Sequence, residues 1–432
     1  MISLLSGIRV LECAVLVQGG HTGRLLGDLG ADVVKIENPQ AGDYIRDIGG
    51  VITPQNSPYH LLHNRNKRSI TIDLRRDEGR ELFWELLRTA DIFVDGFAGS
   101  ACERLGIGYE AQRKVKPDII YLQSSGFGAR GPYAEVPVHG YMMMAQGGAL
   151  HLEMCEDGFV RQTPDPSAVF QGTFSAPIVG ALYGALTAVA ALEQRRRTGQ
   201  GAFIDSSGTD ATIALRGAEN VARWNAGRIT DVTAVPNIGH PDSPKYDYYE
   251  TKDGKFMVLA AIEPKFWRNF CAAVGRPDLA AQIDETYAVD FSNTGGPELA
   301  AEIQKIFHTR TRDEWMALAL DHDIAIGPAN RAEDILDDAH VRAREIVHES
   351  VHPHAGPFTT VGWPAPVTGQ PFGIGNDAPL LGEQTDEILG QLGRSAADIA
   401  ALRERGVIER RHTERRGQGA EPDSAGGLPG AR

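Results

Sequence analysis

The chain of 432 residues contains few cysteines, and they are spread widely along the sequence. The four are Cys13, Cys102, Cys155 and Cys271. Without CxxC spacing they exclude a disulfide framework and a cysteine zinc centre, and they favour reduced thiols in a cytosolic protein. No group of His, Cys, Asp and Glu has metal-ligand spacing, so we expect no metal site. His352 and His354 lie among Pro and Gly, where we expect them to face solvent.

Basic residues are fewer than acidic ones, 43 against 57, so the formal net charge at pH 7 is −14. This argues against nucleic acid or an anionic membrane as the main partner. The first ten residues lack a basic region followed by a long apolar region, so we expect no signal peptide. The one long apolar stretch, residues 176–192, falls just short of a membrane span and is rich in Gly and Ala. We expect a helix buried in the protein core.

Residues 7–37 indicate the fold, although the GxGxxG dinucleotide fingerprint is missing from them. Two apolar runs, Ile8–Leu11 and Val33–Ile36, are typical of buried strands. An amphipathic segment between them, with Arg24 and Asp28 on its polar face, predicts a crossover helix. Ligands bind outside the carboxyl ends of such parallel strands, so the loop at residues 15–20 could face an anion. A strand–helix–strand unit used only for packing remains the alternative.

The rest of the chain predicts two kinds of domain. Strands and helices alternate to about residue 135, which predicts an α/β fold with a doubly wound, Rossmann-like parallel sheet. A hairpin turning at Asp253-Gly254, followed by helical patterns, predicts a smaller α+β domain. We assign residues 1–226 to the large domain, 227–331 to the small domain, 332–408 to a C-terminal part and 409–432 to a disordered tail.

Six further segments carry a family resemblance: NRNKRSITIDLRRDEG (64–79), ADIFVDGFAGSACERLGIGYE (90–110), IIYLQSSGFGARGPYA (119–134), RRRTGQGAFID (195–205), TKDGKFMVLAAIEPKFW (251–267) and APLLGEQTDEIL (378–389). Together with residues 7–37, in this order and spacing, they resemble the class III CoA-transferases, which include formyl-CoA transferase and α-methylacyl-CoA racemase. The resemblance implies that residues 332–408 rejoin the large domain. It also implies an interlocked dimer, with coenzyme A or an acyl-CoA as substrate.

Seven positions match the coenzyme A contacts of that family: Val17, Gln18, Asn38, Leu74, Arg75, Phe97 and Arg104. Arg75 stands where a basic residue is usual, and Phe97 could pack against adenine. The phosphates of coenzyme A call for such arginines. Asn38 replaces an Arg of formyl-CoA transferase, and Gly96 replaces a usual Asn. The alternative for either Arg taken alone is a solvated surface charge.

The catalytic position departs from the family pattern. In the family's transferases a carboxylate attacks the donor thioester and passes through an anhydride and an enzyme–CoA thioester, so an acidic side chain is required. Aligned on Thr198–Gly201, that position holds Pro177, or Ala176 if the alignment slips by one. No Asp or Glu occurs between Asp165 and Glu193. The resemblance therefore implies that the usual nucleophile is missing.

Three displaced acid or base groups are candidates for that role. Asp165 is the nearest carboxylate upstream of the catalytic position, and His139 lies near the racemase histidine. Glu263 matches a racemase glutamate, but it also reads as a helix-start carboxylate next to Pro264.

Three functions remain open from the sequence. The chain could be the Asp-less subunit of a heteromeric CoA-transferase, paired with an Asp-containing paralogue. It could be an active CoA-transferase or a racemase-like enzyme, as a homodimer, with a displaced acid or base. It could also bind CoA esters without turnover. In each case we expect a cytoplasmic protein with no nucleic-acid or membrane partner.

Overall fold

The computed structural model describes residues 2–162, 175–230, 243–285, 288–290 and 294–409. The strands are β1 Arg9–Ala14, β2 Asp32–Glu37, β3 Lys67–Thr71, β4 Ile92–Gly96, β5 Ile120–Ser125, β6 Leu152–Met154, β7 Val160–Gln162, β8 Ala202–Ser207, β9 Tyr246–Glu250, β10 Phe256–Ala260, β11 Ile326–Pro328, β12 Val347–His352 and β13 Gly356–Val361.

The helices follow the same chain order: α1 Val17–Asp28, α2 Pro58–Asn64, α3 Asp77–Leu87, α4 Ala101–Arg104, α5 Tyr109–Val115, α6 Gly140–Gln146, α7 Ser175–Thr198, α8 Gly208–Leu215, α9 Gly217–Trp224, α10 Pro264–Ala273, α11 Gly296–Phe307, α12 Arg312–His322, α13 Ala339–Ala343, α14 Thr385–Gln391 and α15 Ala396–Glu404. Short 3₁₀ turns occur at Tyr44–Arg46, Ala226–Arg228, Pro277–Ala281 and Ala332–Asp337.

A six-stranded sheet in the order β3-β2-β1-β4-β5-β8 forms the centre of the large domain. All five strand pairs in it are parallel. Helices α1 and α7 pack on one face, and α3, α14 and α15 contribute to the core on the other. The predicted doubly wound α/β fold is therefore confirmed. The strand order reverses between β1 and β4, and ligands bind at such a point.

The C-terminal part packs on the large sheet, because Ile388, Leu389 and Leu402 share a core with Phe83 and Phe93. A separate core forms around the antiparallel sheet β11-β10-β9, where Trp267, Phe307 and Trp315 are fully buried. The two sheets thus carry separate cores, and the division of the chain into domains stays a prediction. The limits at residues 226 and 331 stay predictions, and most of the tail, residues 410–432, lies outside the described residues.

Helix α1 corrects two expectations. It begins at Val17, so most of the predicted 15–20 loop is helical, and all twelve of its residues are buried. Its glycines allow close contacts rather than a loop: a Cβ on Gly19 would lie 2.5 Å from the Cβ of Ala14. The predicted polar face is not solvated either. Asp28 pairs with Arg24 at 3.4 Å and with Arg65 at 2.8 Å inside the protein.

Helix α7 is the one described helix long and apolar enough to cross a membrane, judged by length and composition alone. Its most apolar window is 50% buried, and Ala181, Ala185 and Ala188 pack on the large sheet. Its opposite face exposes Leu182 (47%) and Leu186 (67%). The expectation of a wholly buried helix is wrong for that face, because the sheet covers one side of α7 and leaves these two leucines uncovered.

Candidate active site

A cavity of about 540 Å³ lies at the carboxyl ends of β1, β4 and β5, where the strand order of the large sheet reverses. The strand ends contribute residues 15–19, 96–98 and 124–126 to its wall. The remaining described lining comes from Tyr44, Ile45, Ile48, Tyr59, residues 137–141, Met143 and Pro177. Its size is in the range of small-molecule sites.

Six of the residues singled out in the sequence line this cavity together: Val17, Gln18, Gly96, Phe97, His139 and Pro177. The fold therefore joins the first β1–α1 turn, the end of β4, the start of α6 and the first turn of α7. These stretches are up to 160 positions apart in the chain (177 − 17). Three of the seven matched coenzyme A positions, Val17, Gln18 and Phe97, thus share one space with Pro177.

Gln18 and Phe97 are held in place by buried hydrogen bonds. The Gln18 Nε2 donates to the carbonyl oxygens of Ser125, at 2.9 Å, and Ser206, at 3.2 Å. Its buried Oε1 has no hydrogen-bond partner among the described residues. The Phe97 backbone N–H donates to Asp95 at 3.0 Å, and the Tyr121 hydroxyl donates to the same carboxyl at 2.7 Å. Burial raises the pKa of Asp95 to about 6.

The sequence interpretation missed Asp43, which ties two parts of the cavity wall together. Its Oδ1 accepts the backbone N–H groups of Leu16 and Ile45, each at 3.0 Å, and its Oδ2 lies 3.0 Å from the Nζ of Lys35. Leu16 has φ 61°, which is uncommon for a residue with a side chain. The available signal was Lys35, a charged residue inside an otherwise apolar strand.

Arg75 and Arg104 lie outside the cavity lining, and both are exposed. Arg75 pairs with Asp73 at 2.8 Å and donates to the side chain of Gln40 at 3.2 Å. Arg104 pairs with Glu135 at 3.1 Å. Exposed pairs of this kind are weak, so both guanidinium groups can exchange their partner for a phosphate.

Three other predicted positions also lie outside the lining. The Asn38 side chain accepts the backbone N–H groups of Gln40 and Ala41, at 2.9 and 3.1 Å. Leu74 packs against the core of the large domain. Glu263 is the residue preceding α10, and this position favours its reading as a helix-start carboxylate.

The remaining expectations on individual residues have mixed outcomes. Asp165 lies outside the described residues. His139 is exposed at the start of α6. His352 is only 2% exposed, and its Nε2 lies 2.9 Å from the Ala378 carbonyl oxygen, so the expectation that it faces solvent is wrong. A search of the described residues finds no group of three or more His, Cys, Asp and Glu able to hold a metal ion.

The charge of the cavity wall is unusual for a site that handles acids. Its described lining contains no Asp, Glu, Lys or Arg, and His139 is its one imidazole. Hydroxyl groups come from three tyrosines and two serines, among which Ser125 is buried with no partner for its Oγ in the described part of the chain. Such a wall can hold apolar groups and donate a few hydrogen bonds.

Comparison with known proteins identifies the family. Residues 5–385 match the sequence model of CoA-transferase family III. This chain belongs to that family. The alpha and beta subunits of succinyl-CoA–L-malate CoA-transferase from Chloroflexus aurantiacus are 30% and 29% identical to it, and each alignment covers 94% of this chain. The alignments cover 92% of the alpha subunit and 98% of the beta subunit.

A solved structure supports the same assignment. The crystal structure of a CAIB/BAIF family protein from Brucella suis superposes with a TM-score of 0.70 and 27% identity. The match covers 91% of this chain and 100% of that one. The family-level prediction made from the sequence is confirmed, and CoA thioesters are the substrates of this family.

Proposed function

We propose that this chain is the subunit of a heteromeric CoA-transferase that binds an acyl-CoA but lacks the carboxylate nucleophile. A paralogous subunit supplies that carboxylate. The observation that carries this proposal is the cavity itself, because Pro177 forms part of its wall where the family alignment calls for Asp. The described lining offers no carboxylate that could form an anhydride with an acyl group.

The comparisons are compatible with such a pairing. Two of the relatives are named as the alpha and beta subunits of one transferase, and this chain is similar to both over nearly its whole length. The exposed face of α7, with Leu182 and Leu186, provides an apolar surface that a second chain would cover.

A second candidate function is an active enzyme with a displaced acid or base. His139 favours it, because this residue lines the same cavity as Gln18 and Pro177. An imidazole can move a proton but cannot form the anhydride that a carboxylate forms, so this candidate suits racemase-like chemistry better than CoA transfer. The third candidate is a protein that binds CoA esters without turnover. Binding of an acyl-CoA with no covalent label on this chain or on a paralogue would support it.

Covalent trapping distinguishes these functions. The chain is incubated with an acyl-CoA, alone and with a co-purified Asp-containing paralogue, and then treated with hydroxylamine or borohydride before peptide mass spectrometry. We expect label on the paralogue only. Label in residues 170–180 of this chain would contradict the proposal, and label on Asp165 or Glu263 would establish the displaced nucleophile.

A gain-of-function variant gives an independent test. Pro177→Asp places a carboxylate in the cavity wall at the first turn of α7, where an acidic residue suits the helix. We expect trapped label at position 177 that the wild-type chain never shows. Ser175→Asp is the matched control, because it adds the same group to the same turn at a residue outside the described lining. Equal label in both variants would refute the role of position 177.

The assembly is testable separately. We propose an interlocked dimer, either of two copies or with the paralogue, supported by the packing of residues 378–408 on the sheet built by the first half of the chain. Light scattering at low micromolar concentration should give twice the chain mass of 46.7 kDa or the sum with the paralogue. A stable monomer would exclude the dimer.

A further inference from the structure

The described lining of the cavity consists of residues that carry no formal charge, apart from the imidazole of His139. Ile45 and Ile48 come from the segment after β2, Val138 and Met143 come from the segment around α6, and Pro177 comes from α7. Tyr44, Tyr59 and Tyr141 supply aromatic surface around them. The lining is therefore mainly apolar and aromatic, which suits branched or aromatic hydrocarbon.

Two of the segments outside the described residues, 163–174 and 231–242, bring no lysine or arginine. Residues 163–174, which lead into α7, contain no Lys, Arg or His. Residues 231–242 contain no Lys or Arg, and their one imidazole is that of His240. This chain therefore has no cationic lysine or arginine in these two segments to add to the cavity.

Lys35 is buried directly behind the wall, but all its donors are used. Its Nζ lies 2.9 Å from Glu12, 2.7 Å from the Ala14 carbonyl oxygen and 3.0 Å from Asp43. An ammonium group has three N–H donors, and these three acceptors occupy them. Lys35 cannot turn toward a ligand without leaving Glu12 and Asp43 unpaired inside the protein.

Lys67 and Arg46 are held in the same way. The Lys67 Nζ contacts the Gly20 carbonyl oxygen at 2.8 Å, Asn64 at 2.9 Å and Glu12 at 2.7 Å. Arg46 pairs with Glu37 at 2.7 Å and donates to the Pro379 carbonyl oxygen at 2.8 Å. Lys35, Lys67 and Arg46 are thus each neutralised by a buried carboxylate, and none of them belongs to the described lining of the cavity.

We infer that the acyl group this cavity takes is an uncharged, apolar one, branched or aromatic, and not the acyl group of a dicarboxylic acid. This rests on the proposed function, since it concerns the acyl-CoA bound at that same site. It sets the chain apart from the Chloroflexus relatives, whose names specify succinyl-CoA and L-malate. A distal carboxylate buried here would have no Lys or Arg of the described lining to pair with, and that costs roughly 100-fold or more in affinity. Each methylene buried in the cavity gains about fourfold.

The test is calorimetric binding of CoA, isovaleryl-CoA, phenylacetyl-CoA and succinyl-CoA to the full chain. We expect the two apolar esters to bind at least tenfold more tightly than succinyl-CoA. Succinyl-CoA binding as tightly as isovaleryl-CoA would overturn the inference and leave the proposed function standing. Failure of CoA and of every ester to bind would overturn the proposed function, and the inference with it.

Two tyrosine variants test whether the cavity wall sets this preference. Tyr141 and Tyr133 are both 53% exposed, and of the two only Tyr141 is part of the described lining. Tyr141→Arg brings a guanidinium group to the cavity, so we expect the ratio of succinyl-CoA to isovaleryl-CoA affinity to rise at least fivefold. Tyr133→Arg adds the same charge off the cavity and should leave the ratio unchanged. An equal rise in both variants would mean that net charge, and not the wall, decides.

Discussion

Asp43→Asn is the substitution whose outcome the structure specifies most closely. The carboxyl is 2% exposed, and its Oδ1 accepts the N–H groups of Leu16 and Ile45. An asparagine has one acceptor oxygen. If that oxygen keeps both N–H groups, the amide NH₂ faces the Lys35 ammonium, so two donors meet where an ion pair of 3.0 Å stood.

The expected loss follows from these contacts. A hydrogen bond to a charged group contributes about 1.5–3 kcal/mol, and removing one partner of a buried pair costs about 3–5 kcal/mol. Lys35 keeps Glu12 at 2.9 Å, so its charge is not left alone. We therefore expect the free energy of unfolding to fall by about 3 kcal/mol, near the overlap of the two ranges. If the amide instead turns its oxygen toward Lys35, Leu16 loses its acceptor, and CoA-ester affinity should fall as well.

Urea denaturation followed by circular dichroism measures this loss. Asp47→Asn is the matched control, because Asp47 lies in the same segment and is exposed. It should change the free energy of unfolding by less than about 0.5 kcal/mol. A double-mutant cycle that combines Asp43→Asn with Lys35→Met measures the coupling energy of the Asp43–Lys35 pair. A coupling energy near zero would refute the claim that this pair stabilises the protein. A loss below about 1 kcal/mol for Asp43→Asn alone would show that the amide satisfies both sides.

The other predictions concern pH and phosphate binding. Burial raises the pKa of Asp95 to about 6. Its neutral form therefore adds about 3 kcal/mol to the free energy of unfolding below pH 4, and this contribution is lost as the pH rises to 6. Asp95→Asn should abolish this dependence of the free energy of unfolding on pH. Burial, with the nearby charge of Arg24, lowers the pKa of His21 to about 2 and that of His63 to about 3. Each of these histidines should lower the free energy of unfolding by about 1.4 kcal/mol per pH unit as the pH falls below 6.5. The free energy of unfolding of His63→Asn should therefore fall less steeply with pH. Arg104→Ala should weaken CoA binding by about 1–3 kcal/mol, whereas Arg113→Ala, another exposed arginine paired with a glutamate at 2.8 Å, should not.

The sheet could be predicted because its signal is local. Val33, Val34 and Ile36 form a short apolar run of the kind that buried parallel strands require, and the structure places all three below 6% exposure in β2. The same argument placed β1 at Ile8–Leu11, and the structure has it at Arg9–Ala14. The order of the strands follows from the βαβ rule once the helices between them are recognised.

The buried charges could not be predicted, since their partners are distant in sequence. Asp28 meets Arg65, 37 positions away, and Arg46 meets the carbonyl oxygen of Pro379, 333 positions away. A pattern along one segment shows only a polar side chain, and it suggests solvent as the partner. For the same reason Tyr44 and Tyr59 gave no sign of lining a cavity, because the stretch between β2 and β3 has no period that fixes which way its side chains point.

The proposed absence of a nucleophile at position 177 and the uncharged described lining are linked by the same electrostatics. A carboxylate placed at position 177 alone would sit in a cavity whose described lining has no cation to stabilise it, so burial would raise its pKa, as burial raises that of Asp95 to about 6. The start of α7 lowers it again, but by less than about one unit. The protonated form is a poor nucleophile, so trapped label on the Pro177→Asp variant should grow between pH 5 and pH 7.5. Label that is already maximal at pH 5 would mean that hydrogen-bond donors near Gln18 and Ser125 suffice to hold the anion, and a single substitution would then separate this subunit from an active one.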